Sequence, residues 1–363
     1  MIIAEALKWG IAQLKKTGSS LSDKGAHHSV TDSPALDAEV LLTHAVSPSP
    51  VLLDILSLRE RNEVRGRAWL YGYPEQKLTS AQLKIFKQFI TRRINHEPVA
   101  YIIGHKEFYG LDFLVNRNVL IPRPETEILV DEALKEMTRY KLRATRYTVV
   151  DIGTGSGAIV VAIAVEVARS LPQARPVAWP RGDAITFFAT DISRAALRVA
   201  KQNAKQHGVE EKIKFFHGNL LKPFLPPTYY ILPTHLLITA NLPYLPTREW
   251  RGAMPEVRNF EPRGALDGGK TGLDYYRKLF EQLKKIHNPS QPPLILRGGD
   301  GSKGIPPLRV RGGEGELRVS VICEIDPHQS DDIKILARTF FPRASVKIVK
   351  DLARLDRVAI IKI

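Results

Sequence analysis

One stretch constrains this chain more than any other: an apolar strand that ends in a glycine-rich turn and restarts at once as a helix. Thr148–Ile152 is apolar and rich in β-branched residues, Gly153-Thr154-Gly155-Ser156-Gly157 follows without a break, and Ala158–Arg169 then reads as a helix. Glycines are required at such a turn when a ligand lies against the backbone, because a Cβ would exclude it. Strands and helices alternate beyond it. Ile185–Thr190, Ile213–Phe216, Leu236–Ala240, Leu317–Ile325, Ser345–Val349 and Val358–Ile363 read as strands, and Ala195–His207, Tyr275–Ile286 and Asp331–Phe340 as helices. This order predicts an α/β fold with a Rossmann-like, seven-stranded, largely parallel sheet.

The first part of the chain has a different period. Ile3, Leu7, Ile11 and Leu14 share one helical face; Ser33-Pro34 opens a second helix with Leu36, Leu41, Leu42 and Ala45. Thr79 or Ser80 caps a third, which carries Leu83, Phe86, Phe89, Ile90 and Ile94. Lys24–Asp32 and Ser47–Arg67 read as connections. Tyr101–Ile103, Phe108–Tyr109 and Phe113–Val115 are short β-prone runs between glycines, the pattern of a hairpin. Pro122 and Pro124 end it, and Glu125–Met137 resumes helical spacing. The expected organisation is a small helical bundle at 1–98, a β-hairpin linker at 99–121 and the α/β domain at 122–363. Two Pro/Gly-rich stretches, 172–183 and 288–315, read as loop insertions, the second holding a near-repeat at 292–301 and 306–315. Both fall in helix-to-strand connections, at the sheet edge opposite the one where doubly wound folds bind ligands.

Composition narrows the setting. A lone Cys323 excludes a disulfide framework and fits a reducing cytoplasm. Glu5 interrupts the place where a secretory signal needs its apolar stretch, and no apolar run approaches the ~20 residues of a membrane span. The formal net charge of +15 points weakly towards an acidic partner.

A glycine turn of this kind serves NAD, a flavin, S-adenosylmethionine, or no ligand at all. Asp191 closes the second strand, where an acidic residue holds both ribose hydroxyls of a nucleoside; capping the next helix is its competing role, which Ser193 fills equally well. Asp151, immediately before the turn, suits a ligand bearing a cation better than one bearing phosphates. The most specific element is Asn241-Leu242-Pro243-Tyr244, directly after the strand Leu236–Ala240. An amide nitrogen is a poor nucleophile because its lone pair is delocalised into the carbonyl. Two acceptors, the Asn241 side-chain oxygen and the Leu242 carbonyl, bind both N–H hydrogens and hold that nitrogen in place. Pro243 stiffens the turn and Tyr244 offers a flat face to stack against, so the acceptors are preorganised. The exocyclic amine of adenine would fit the same acceptors.

Asn241-Leu242-Pro243-Tyr244 resembles the Asn-Pro-Pro-Tyr motif of amino-group methyltransferases. Around it, the stretch Arg93–Gly104, Glu107–Gly110, Leu120-Ile121-Pro122-Arg123-Pro124-Glu125-Thr126-Glu127, and Asn259–Gly269 with Gly272-Leu273 resemble the protein-glutamine methyltransferases that modify peptide chain release factors. The resemblance runs from about residue 80 to the end, insertions excepted, and implies a class I S-adenosylmethionine-dependent enzyme of the cytoplasm. It implies a cofactor site made of Gly153, Thr154, Gly155, Ser156, Gly157, Asp191, Asn219 and Leu220, with Asn241 touching both cofactor and substrate. Leu242, Pro243 and Tyr244 then line a glutamine pocket. No metal and no nucleic acid is required. The implied substrate is the glutamine of the Gly-Gly-Gln motif of class-1 release factors; a ribosomal-protein glutamine and adenine-N6 in DNA or RNA are the alternatives. Two positions depart from the family pattern: Leu242 replaces a proline, and Asn219 replaces an aspartate that contacts adenine, which implies weaker cofactor affinity.

Overall fold

The alternation of apolar strands and amphipathic helices after residue 147 folds as its period dictates. A computed structural model describes residues 1–19, 33–46, 67–139, 147–170, 185–225, 235–287 and 317–363. The insertion stretches 172–183 and 288–315, and the connections Lys24–Asp32 and, up to residue 66, Ser47–Arg67, lie outside the described residues. The chain divides into two units, one of 1–121 with 251–262, the other of 122–250 with 263–363.

In the second unit a sheet of seven strands forms from β3 (Tyr147–Ile152), β4 (Thr186–Asp191), β5 (Ile213–His217), β6 (His235–Ala240), β7 (Arg318–Glu324), β8 (Ser345–Lys350) and β9 (Asp356–Lys362). Their order is β5-β4-β3-β6-β7-β9-β8. The pairs from β5 to β7 are parallel, and β9 runs antiparallel to both β7 and β8. The chain order reverses at β3 and β6, which places a ligand-binding crevice at the carboxyl ends of those strands. β3 and β6 are buried on both faces, as a sheet covered by helices requires. The helix Asp274–His287 buries Tyr276, Leu279, Phe280 and Leu283, a single stripe at helical spacing, in the core formed with Val321, Cys323, Ile333 and Phe341.

The first unit is built on the helices Ile3–Ser19, Pro34–Val46 and Ser80–Ile94, which share a core of Ile3, Ala6, Leu14, Leu41, Leu42, Phe86 and Ile90. The expected start signals operate. Ser33 Oγ accepts from the Leu36 N–H at 3.1 Å, and Thr79 with Gln82 closes a reciprocal capping box at 3.2 and 2.9 Å. Arg93 is 5% exposed and bridges Asp37 and Glu256, each at 2.7 Å.

Two local readings need correction. Val99–Ile103, in which a β-prone run was expected, is a short helix, because Pro98 starts it and Gly104 at φ +85° ends it. The hairpin is shifted to His105–Phe108 (β1) and Leu111–Leu114 (β2), joined by Tyr109 and Gly110, both at positive φ as a type I′ turn demands. The short helices Thr247–Gly252 and Pro255–Phe260 have no periodicity long enough to have predicted them.

Candidate active site

The carboxyl ends of β3, β4, β5 and β6 bring the expected residues together. After β3, the N–H groups of Gly153 and Thr154 donate to the Thr190 carbonyl at 2.8 and 2.9 Å, which folds the turn back onto β4. Gly155 stands at φ +55°, and a Cβ built there meets nothing nearer than 3.9 Å. Gly153 is exposed and Gly155 half-buried while Thr154 and Ser156 are buried. The turn therefore presents bare backbone to a ligand, and the Thr154 and Ser156 side chains face the protein. Gly157 is needed for packing: a Cβ there would stand 3.1 Å from Ala200 Cβ.

Asp191 is tied to that turn. Its carboxylate accepts from the Gly155 N–H at 2.9 Å and the Ser193 N–H at 2.8 Å. Each oxygen keeps a lone pair for a further donor, so the carboxylate fits the two hydroxyls of a ribose. Ser193, through its hydroxyl at 3.1 Å from the Ala196 N–H, is the residue that caps the following helix. The Asp191 carbonyl accepts from the Gly218 N–H at 3.0 Å, which sets Asn219 and Leu220 beside it. Leu220 stands at φ +56° with its side chain in the core, and Asn219 is half-buried. The bare turn and this carboxylate fit S-adenosylmethionine; Gly153, Gly155, Asp191 and the Asn219-Leu220 backbone are the groups that would hold it.

Asp151 does not face the crevice. It is 1% exposed and accepts from the hydroxyls of Thr154 at 2.6 Å and Thr239 at 2.9 Å, the latter directly opposite it on β6. Burial pushes its carboxyl up to about 6, against the pull of those two hydroxyls. Burial also raises Asp191.

Asn241 to Tyr244 leave β6 at the same edge, and the glycine turn touches them: a Cβ on Gly153 would sit 3.2 Å from Leu242 Cδ2. Asn241 Nδ2 donates to Thr126 Oγ1 at 3.2 Å, and the Thr126 hydroxyl donates to Glu324 Oε2 at 2.6 Å. The Tyr244 hydroxyl donates to the other oxygen, Glu324 Oε1, at 2.9 Å. Leu242 N–H, the group a proline would lack, donates to the Tyr276 hydroxyl at 3.4 Å, and that hydroxyl donates to the Glu324 carbonyl. Burial raises the Glu324 carboxyl and, with Glu324 beside it, the Tyr244 phenol.

The glycine-rich segment 264–273 wraps this turn. Leu245 exchanges hydrogen bonds with Leu266 and Gly268 at 3.0 and 2.8 Å. Gly272 admits no side chain, since a Cβ would lie 2.1 Å from the Tyr244 carbonyl oxygen. Gln329 Nε2 donates to that same oxygen at 2.8 Å.

Sequence reasoning missed Thr126, Glu324, Tyr276 and Gln329 as parts of this site. Thr126 lay inside a segment singled out only for its resemblance. Glu324 carried a legible signal, being the one charged residue in the largely apolar run Val319–Ile325.

Comparison with known proteins identifies the family. Residues 5–104 match the family described as the PrmC N-terminal domain. The release factor glutamine methyltransferase of Bacillus anthracis is 32% identical over 363 residues, 100% of both chains. That of Bacillus cereus is 31% identical over 358 residues, 99% of this chain and 98% of the relative. That of Coxiella burnetii is 37% identical over 256 residues, 70% of this chain and 76% of the relative. The chain therefore belongs to the release factor glutamine methyltransferase family and is an S-adenosylmethionine-dependent methyltransferase.

Proposed function

We propose that the enzyme methylates the side-chain amide nitrogen of the glutamine in the Gly-Gly-Gln motif of class-1 peptide chain release factors, in the cytoplasm. The observation that carries this reading is the orientation of Asn241. Its NH2 group donates inward to Thr126, which directs Oδ1 to the other side as an acceptor. Oδ1 and the Leu242 carbonyl then receive the two N–H hydrogens of the substrate amide. Holding both hydrogens fixes the nitrogen and weakens its conjugation with the carbonyl, so its lone pair is available when the methyl donor is in place. Tyr244, anchored through its hydroxyl, packs against the amide plane. S-adenosylmethionine, when bound, would supply an electrophilic methyl carbon on a sulfonium: its C–S bond would break to leave S-adenosylhomocysteine as the amide nitrogen gains the methyl group and loses one proton to solvent. The relatives' shared name supports the release factor as the protein substrate.

Transfer of a labelled methyl group is measured to a release factor, to its Gly-Gly-Gln→Gly-Gly-Ala variant, and to duplex DNA. Label on the intact release factor alone is expected. Label on the alanine variant moves the target to another residue, and label on the DNA replaces the reading with adenine methylation.

A further inference from the structure

Thr126 and Glu324 are buried and polar and touch neither substrate nor cofactor in the chemistry just described, yet both are wired to it. Thr126 is 4% exposed and Glu324 1% exposed. A hydroxyl has one proton to give and lone pairs to receive. An ionised carboxylate only accepts, so at 2.6 Å from Glu324 the Thr126 proton points at Oε2. Only lone pairs remain for Asn241, which lies 3.2 Å away. A primary amide facing a pure acceptor must present NH2 to it and carry its oxygen on the opposite side. The direction of the Asn241 amide thus follows from the charge on Glu324, transmitted by one hydroxyl.

We propose that Glu324, acting through Thr126, is the positioning group that fixes the Asn241 amide with its oxygen towards the substrate. This rests on the reading of Asn241 as an acceptor for the glutamine amide. A neutral group at 324 both donates and accepts, so the one-way order is lost. The Thr126 hydroxyl then turns to Asn241 Oδ1, the amide rotates, and its N–H groups meet those of the substrate.

The same acid anchors the rest of the motif. Its second oxygen holds the Tyr244 hydroxyl and its carbonyl holds the Tyr276 hydroxyl that receives the Leu242 N–H. The charged and titratable groups facing it are Arg357 on β9, Glu125, Tyr244 and Tyr276. Burial raises its carboxyl above the usual range, against the pull of the Thr126 and Tyr244 hydroxyls and of Arg357, and Glu125 adds to the rise. Protonation therefore comes at a higher pH than for an ordinary glutamate. Positioning is present above that point and lost as pH falls through it.

The test is a double-mutant cycle on the whole chain with Thr126→Val, Glu324→Gln and both, alongside Thr126→Ser. An orienting bond to a buried amide is worth about 1–3 kcal/mol, or roughly 5–150-fold at 1.36 kcal/mol per tenfold. Thr126→Val is expected to lower kcat by about that factor with S-adenosylmethionine affinity unchanged, and Thr126→Ser to restore it with the acid limb of the wild-type kcat profile. Thr126→Val should lack that limb. Glu324→Gln should cost little on top of Thr126→Val, because a relay broken once is not broken twice. Full additivity of the two losses, or wild-type kcat in Thr126→Val, overturns the proposal.

A second readout needs no substrate. In the 15N NMR spectrum the Asn241 side-chain NH2 should be protected from exchange in the wild type, unprotected in Thr126→Val, and shifted as pH falls. An Asn241 signal indifferent to both changes overturns the relay. If the wild type instead methylates no release factor while this signal behaves as expected, the substrate reading fails and the relay stands.

Discussion

Replacing Asp151 with asparagine should make this enzyme more stable at neutral pH, and by an amount that the structure sets. The Asp151 carboxyl is pushed from 3.8 up to about 6 because burial denies it water, and the nearby Asp191 charge adds to the rise. A carboxyl raised in the folded state favours folding when protonated. Its contribution is full below the unfolded value near 4 and is lost as pH rises through about 6. A rise of about two units corresponds to ~3 kcal/mol between those limits, at 1.36 kcal/mol per unit. Between pH 7.5 and pH 5 about 1.4 kcal/mol of it should return. Asparagine keeps the shape, and the hydroxyls of Thr154 and Thr239 turn to match its oxygen and its NH2. Urea unfolding followed by circular dichroism at pH 7.5, 6 and 5 gives the wild-type minus variant difference. The variant should lead by up to ~3 kcal/mol at pH 7.5, with the lead shrinking by about 1.4 kcal/mol at pH 5. Relief of the neighbouring Asp191 acts in the same direction. Parallel stability curves would refute the reasoning, since they would mean that the Asp151 carboxylate meets no desolvation penalty.

Gly155→Ala places a Cβ at φ +55° over the bare turn; a stability loss of about 1 kcal/mol and a fall of tenfold or more in S-adenosylmethionine affinity are expected by calorimetry. Asn241→Ala removes one acceptor, and transfer to the release factor should fall by roughly 100-fold or more while cofactor affinity stays within a few-fold, in keeping with the loss of a preorganised polar group. Arg93→Met strands Asp37 and Glu256 at 5% residual exposure of the arginine. It should cost about 3–5 kcal/mol as a broken buried ion pair, read as a lower thermal midpoint of the 1–121 helices.

The centre of the sheet was legible because β3, β4, β6 and β7 are largely apolar runs bounded by turn residues, and burial on two faces requires no more information than that. The glycine turn and Asn241 were legible for a different reason, since each is a residue type whose chemistry has few other uses at a strand end. The short helix at Val99–Ile103 was not, because three of its five residues, Val99, Ile102 and Ile103, are β-branched and only the flanking Pro98 and the left-handed Gly104 decide its conformation. Gly268 and Gly272 were visible as glycines without a stated use. Their use is to let the chain pass against the carbonyls of Pro243 and Tyr244, a long-range contact that no local pattern encodes. Thr126 and Asn241 are 115 positions apart, and Thr126 and Glu324 are 198 apart. Only the folded sheet makes them neighbours.

That distance bears on how the site works. Asp151, Asp191 and Glu324 stand at or next to the carboxyl ends of β3, β4 and β7, three parallel strands of one sheet, and burial raises all three. Their recorded hydrogen-bond donors are hydroxyls and backbone amides in place of lysine or arginine side chains. In a chain with a formal charge of +15, buried acids thus underlie the crevice, with Asp191 at its edge and Asp151 beneath it. Such an edge favours a cationic methyl donor and repels phosphate, which is the electrostatic requirement of a sulfonium cofactor meeting a neutral amide. The acids divide the work by what they hold: Asp191 fixes the glycine turn, Asp151 ties β3 to β6 beneath it, and Glu324 governs the polarity of Asn241. Hydroxyl partners suit this arrangement because they can reverse their direction without moving. A lysine or arginine could neutralise an acid but could not pass an acceptor's demand on to the next side chain.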